Sequence, residues 1–87
     1  MSGATRRITV LYFAAVRDRA GTDREELELP AEIADVRAFS AWLERTRPRL
    51  VGRLAQCRFA VDEEFRDASF RIGPGAVVAV IPPVSGG

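Results

Sequence analysis

Alternation opens the chain: from Arg6 to Ala14, Ile8, Val10 and Tyr12 fall on one face of an extended segment, and Thr9, Leu11 and Phe13 on the other. Because both faces are nearly all apolar, the pattern predicts a central strand rather than an edge. Arg17 to Thr22 reads as a polar connection with Gly21 available for positive φ. Glu25 to Leu29 alternates again, Leu27 and Leu29 inward, Glu26 and Glu28 outward, and Pro30 ends this second strand. The apolar period then changes. Asp35 is placed to cap a helix running to about Thr46 or Arg47, with Val36, Phe39, Leu43 and a core or half-buried Trp42 as its stripe. Pro48 stops it, and Leu50 to Leu54 reads as a short second turn of helix. Cys57 to Val61 forms a third strand, Asp62-Glu63-Glu64 a tight turn, and Phe65-Arg66 a short fourth strand. Phe70 and Ile72 alternate before a Gly73-Pro74-Gly75 turn. The last strand, Ala76 to Ile81, is apolar on both faces and is expected to be central.

That order predicts an α+β fold: a mixed sheet of four to five strands covered on one face by one main helix. The first two strands form an antiparallel hairpin, and the last lies parallel beside the first. This is the β-grasp, ubiquitin-like arrangement, although other α+β folds share similar strings.

Composition narrows the function. At 87 residues the chain is one domain, residues 1–87, with a flexible arm expected over 1–5 and an extended tail over 82–87. Its 13 basic residues are all arginine, and the net charge of +1 argues against a strong nucleic-acid field. No apolar run approaches the roughly 20 residues of a membrane span, and no secretory signal opens the chain, so no membrane is expected and the cytoplasm is the expected location. A lone Cys57 in a chain without histidine argues against disulfides and against metal sites; it reads as a small buried hydrophobe. Without His or Lys there is no side chain with an unperturbed pKa near 7 and no Schiff-base nucleophile. Glu63 and Glu64, adjacent on a turn, are expected to diverge into solvent. An autonomous enzyme is not expected.

The chemistry therefore concentrates in Pro82-Pro83-Val84-Ser85-Gly86-Gly87. Two prolines favour extended geometry, and six extended residues reach roughly 20 Å. Gly86 and Gly87 pass where bulkier residues cannot. A terminal carboxylate, ionised at neutral pH, can attack the α-phosphate of a nucleotide, and a sulfur nucleophile can then displace the nucleotide to leave a thiocarboxylate. Glycine-rich chain ends are also common as mere frayed termini; the fuller pattern of buried strand, Pro-Pro-Val-Ser-Gly-Gly and stop is more specific.

Val80 to Gly87 closely resembles the ending of the MoaD sulfur carriers, the small subunits of molybdopterin synthase. Val10-Leu11-Tyr12-Phe13-Ala14-Ala15-Val16-Arg17-Asp18 with Gly21, and Arg58-Phe59-Ala60-Val61-Asp62-Glu63-Glu64-Phe65, match two further family stretches. The resemblance implies that Gly87 carries the reactive carbonyl, that Gly86 gives slender access, and that Pro82, Pro83, Val84 and Ser85 line a partner's channel. It implies docking through Phe13 and Ile81, with Arg17 available for partner salt bridges. It also implies three kinds of partner: a MoaE-type large subunit in a heterotetramer, a MoeB-type E1-like adenylating enzyme, and a sulfurtransferase or cysteine desulfurase. No cofactor is bound; ATP is consumed by the activating partner, and the thiocarboxylate gives its sulfur to cyclic pyranopterin monophosphate. Two departures stand out: Gly73-Pro74-Gly75-Ala76 replaces a turn commonly Asp-Gly-Asp-Glu, and Asp62 replaces a common Asn. Carriers for thiamin, cysteine or thionucleoside synthesis, ubiquitin-like modifiers and plain interaction domains are the rival readings.

Overall fold

The computed structural model describes residues 4–83. Its centre is β1 (Thr5–Tyr12), whose alternation buries Ile8, Val10 and Tyr12 on one face and leaves Thr9 and Leu11 partly open on the other. On one side β1 pairs antiparallel with β2 (Arg24–Pro30), Ile8 opposite Leu27. On the other it pairs in parallel with β5 (Val77–Ile81), Thr9 opposite Val77 and Tyr12 opposite Val80. Next to β5 runs β3 (Arg58–Val61), antiparallel, which carries the short β4 (Glu64–Arg66) on its far side. The sheet order is β2-β1-β5-β3-β4. The two strands expected to be central are central and parallel to each other, and the arrangement is the β-grasp.

One face of the sheet is covered by α2 (Val36–Thr46). Asp35 caps it as expected, its Oδ1 accepting the Ala38 N–H at 2.9 Å. Val36, Phe39 and Leu43 recur at helical spacing and are buried with Ile8, Val10, Leu29, Val78 and Val80. Phe39 meets Phe59 edge-on at 6.1 Å between ring centroids and stacks on half-buried Trp42 at 6.3 Å. Each such aliphatic or aromatic side chain contributes roughly 1.5–3 kcal/mol by leaving water, which is where an 87-residue domain finds its stability.

Several expectations are corrected. The polar connection after β1 is in part a helix, α1 (Ala14–Ala20), which buries Val16. Gly21 does take the positive φ of 81° expected of it, closing α1 with its N–H on the Arg17 carbonyl. The turn of helix expected over Leu50–Leu54 is instead a 3₁₀ turn at Pro48–Leu50, because proline fits a helix's first position and Leu50 is drawn into the core. β1 stops at Tyr12, short of Ala14, since Ala14 turns to φ 52°. It also starts at Thr5, inside the segment expected as an arm, because Thr5 pairs with Pro30 and its hydroxyl donates to Glu28 at 2.7 Å.

Candidate docking face and root of the tail

With one main helix, only one face of the sheet is covered. The second apolar sets of the central strands therefore meet on the open face: Leu11 of β1, Val77, Ala79 and Ile81 of β5, and Ala60 of β3. Together with Phe13 and Phe65 they line a groove of about 570 Å³, rimmed by Asp62 and Glu63. Phe13 is 46% exposed and Phe65 53%, both large apolar rings held in water beside a half-covered apolar floor. An apolar patch of this kind marks an interaction surface. Local geometry places Phe13 there: it is the last extended residue (φ −121°, ψ 149°), and the turn at Ala14 takes α1 away.

The root of the tail borders this face. Ile81 is the final residue of β5, opposite Arg58, and lines the groove. Pro82 is half-buried and Pro83 exposed; lacking N–H groups, they end the ladder and fix the exit direction. The entry to β5 is fixed as well. Val77 N–H donates to Asp62 Oδ1 at 3.0 Å and Asp62 N–H to the Val77 carbonyl at 2.8 Å, while Gly75 N–H reaches the Arg7 carbonyl at 2.8 Å. The Gly73-Pro74-Gly75 turn thus ties to β1.

Among the expected site residues, Phe13 and Ile81 come together in one groove. Arg17 does not line it; it sits one turn of α1 beyond Phe13, exposed, with its Nε 3.7 Å from Asp18. Val84, Ser85, Gly86 and Gly87 lie outside the described residues. Phe65, Leu11, Val77 and Ala79 were not singled out as site residues, although strands apolar on both faces in a sheet with one covered face pointed to them.

The remaining candidates for side-chain chemistry are otherwise engaged. Glu64 pairs with Arg66 at 3.0 Å and Glu63 occupies the turn, and both residues are exposed to solvent as expected. Cys57 is half-buried, its Sγ donating to the Arg53 carbonyl at 3.2 Å. Burial, reinforced by the negative charge of Glu44, pushes its thiol pKa up, which leaves little thiolate for sulfur chemistry at neutral pH. Among the described residues no helix is long and apolar enough to cross a membrane.

A β-grasp domain whose open apolar face borders the exit of its last strand is thus the class of protein that fold and surface define. The chain belongs to the ThiS family, whose sequence profile matches residues 10–87. It is 36% identical over 86 residues to the human molybdopterin synthase sulfur carrier subunit, an alignment covering 93% of this chain and 94% of that one. A solved structure from Pyrococcus furiosus, provisionally assigned as molybdopterin converting factor subunit 1, superposes with a TM-score of 0.78 at 31% identity, covering 91% of this chain and 99% of that one. The complex of subunits 1 and 2 of molybdopterin-converting factor from Helicobacter pylori contains a chain of the same fold, with a TM-score of 0.66 at 20% identity over 93% of this chain and 99% of that one. These likenesses bear out the MoaD resemblance read from the sequence.

Proposed function

We propose that this protein is the sulfur carrier of a molybdopterin synthase, with Gly87 as the carrier residue and Pro82 to Gly86 as its stem. The observation that carries the reading is the open apolar groove beside the root of the tail, in a chain similar over nearly its whole length to sulfur carrier subunits. A bare carboxylate is a poor acyl donor, and the chain has neither histidine nor lysine to activate one. Activation is therefore assigned to a MoeB-type enzyme. The Gly87 carboxylate oxygen attacks the α-phosphorus of ATP, pyrophosphate leaves, and an acyl-adenylate forms. The terminal sulfur of a desulfurase-type persulfide attacks the acyl carbon and AMP leaves; a thiol then cleaves the acyl disulfide, forming a disulfide with the donor and releasing the thiocarboxylate.

The large MoaE-type subunit then docks on the face that carries Phe13, Phe65 and Ile81, and its own pocket supplies the acid–base groups. Sulfur passes from Gly87 to cyclic pyranopterin monophosphate and the carboxylate returns; two such transfers complete the dithiolene. The contribution of this chain is positioning. β5 is held on both sides, and the two prolines stiffen the root of the stem where it leaves the sheet.

The test is an intact mass of the protein purified from its own cells, followed by incubation with the large subunit and cyclic pyranopterin monophosphate. The expected result is a mass gain equal to one sulfur replacing one oxygen, located at Gly87 and lost as molybdopterin forms. A terminus that stays a carboxylate in the presence of the activating enzyme and ATP overturns the carrier reading. A thiocarboxylate that forms but yields no molybdopterin overturns the pathway alone.

A further inference from the structure

A second groove, of about 770 Å³, lies between α2 and the β3–β4 edge. Its floor includes the buried Val36, Leu54 and Phe59, and Phe65 lines both this groove and the one on the open face. Three arginines, Arg37, Arg58 and Arg66, stand around it. Its two carboxylates are already engaged: Glu44 Oε2 accepts the Leu54 N–H at 3.0 Å, and Asp67 Oδ1 accepts the N–H and hydroxyl of Ser69 at 3.0 and 2.8 Å. Arg37 and Arg58, in contrast, have no carboxylate within 4.0 Å among the described residues.

The arginines are also preorganised. The Arg58 guanidinium lies 4.0 Å from the Phe65 ring centroid, and that of Arg66 lies 4.4 Å from the centroid of Phe70. Stacking holds the Arg58 guanidinium and leaves its N–H groups open to an anion, whereas Arg66 is already paired with Glu64 at 3.0 Å. Arg37 sits in the first turn of α2, where the helix dipole disfavours a cation and the capping carboxylate of Asp35 offsets part of that cost, so its exposed guanidinium is available to an external carboxylate.

We propose that this groove receives an acidic segment of the large subunit, continuous across Phe65 with the surface docked on the open sheet face. The inference rests on the docking reading above and extends it. The apolar floor and the shared Phe65 wall favour a protein segment, carrying an aliphatic side chain beside its carboxylates, over a free anion.

The experiment measures binding of the full chain to a MoaE-type large subunit at low and high salt. Three variants are compared with the parent: Arg37→Glu/Arg58→Glu, Arg37→Ala/Arg58→Ala and Phe13→Ser. The charge-reversed pair is expected to bind at least about tenfold more weakly at low salt and to lose most of its salt dependence, with the alanine pair intermediate. Phe13→Ser is expected to weaken binding alike at both salts. If both arginine pairs bind as the parent does while Phe13→Ser is weakened, the groove inference falls and the docking reading stands. If Phe13→Ser is also without effect, the docking reading itself falls. Should charge reversal unfold the chain, the alanine pair decides by the same criteria.

Discussion

Arg47 holds Glu25 through two N–H groups of one guanidinium edge, Nε to Oε2 at 2.8 Å and Nη2 to Oε1 at 2.6 Å, and so ties the residue after α2 to β2. The Tyr12 hydroxyl donates to the same Oε2 from β1. Three elements distant in sequence meet at one carboxylate. The Arg47 hydrogen bonds hold the Glu25 pKa below the ordinary range against the opposing effect of burial, while burial and the Glu25 charge push the Tyr12 phenol up.

Replacing Arg47 by Met is expected to destabilise the fold by about 1–3 kcal/mol, because it strands a three-quarters-buried carboxylate with only Tyr12 as partner. The pH dependence has a definite sign. A depressed carboxyl pKa contributes stability above its unfolded value, about 4.3, and loses it as pH falls through the folded pKa. Urea midpoints across about pH 3–7, a range that spans the reference carboxyl pKa, should therefore show a steeper acid loss in the parent than in Glu25→Gln. Equal acid slopes would refute the assignment.

Arg6 is a second clamp, of a different kind. Its Nε donates to the Ile72 carbonyl at 2.8 Å, Nη1 to Pro30 at 3.1 Å and Nη2 to Ile33, closing the loops at the end of the sheet. Arg6→Lys keeps the charge but not the planar fork, and should cost about 1–3 kcal/mol in chemical denaturation. A lysine variant as stable as the parent would show that charge alone suffices.

At the β3–β4 hairpin, Asp62 and Glu63 both take positive φ, 51° and 74°. The asparagine–glycine pair is the preferred occupant of such a turn, and among the described residues Glu63 makes no side-chain bond to offset its backbone strain. Glu63→Gly is expected to raise stability by about 1 kcal/mol in denaturant titration. Asp62→Ala should lower it, since the hydrogen bond to Val77 is lost as well.

Phe13→Ser tests the open face on the stability side. With 46% of Phe13 already in water, its thermal midpoint should move by only a few degrees, a ΔΔG of about 1 kcal/mol or less. A large drop would make Phe13 a structural residue and remove its weakened docking as evidence.

Periodicity carried most of the fold. β1 and β5 announced themselves by being apolar on both faces, α2 by Asp35 and its stripe, and the hairpin by Asp62-Glu63. What stayed hidden depends on tertiary contact. α1 is seven residues long with one buried side chain, too little period to distinguish from a polar loop. Glu25 read as one more charge on an alternating strand, because its partner Arg47 lies 22 positions away. The open-face groove was half legible: Phe13 and Ile81, both singled out from the sequence, line it together, whereas Phe65 read as ordinary strand filling because nothing in the sequence marks β4 as an edge.

The placement of β5 has a mechanical consequence. Its two neighbours, β1 in parallel and β3 antiparallel, run hydrogen-bond ladders along most of its length, Val77 to Val80 on one side and Val78 to Ile81 on the other. Tension applied beyond Ile81 acts along the strand axis, so both ladders are loaded in shear and their bonds must yield together. An edge strand under the same load would peel one bond at a time. A pull on the end of β5 is therefore resisted by the central sheet as a unit.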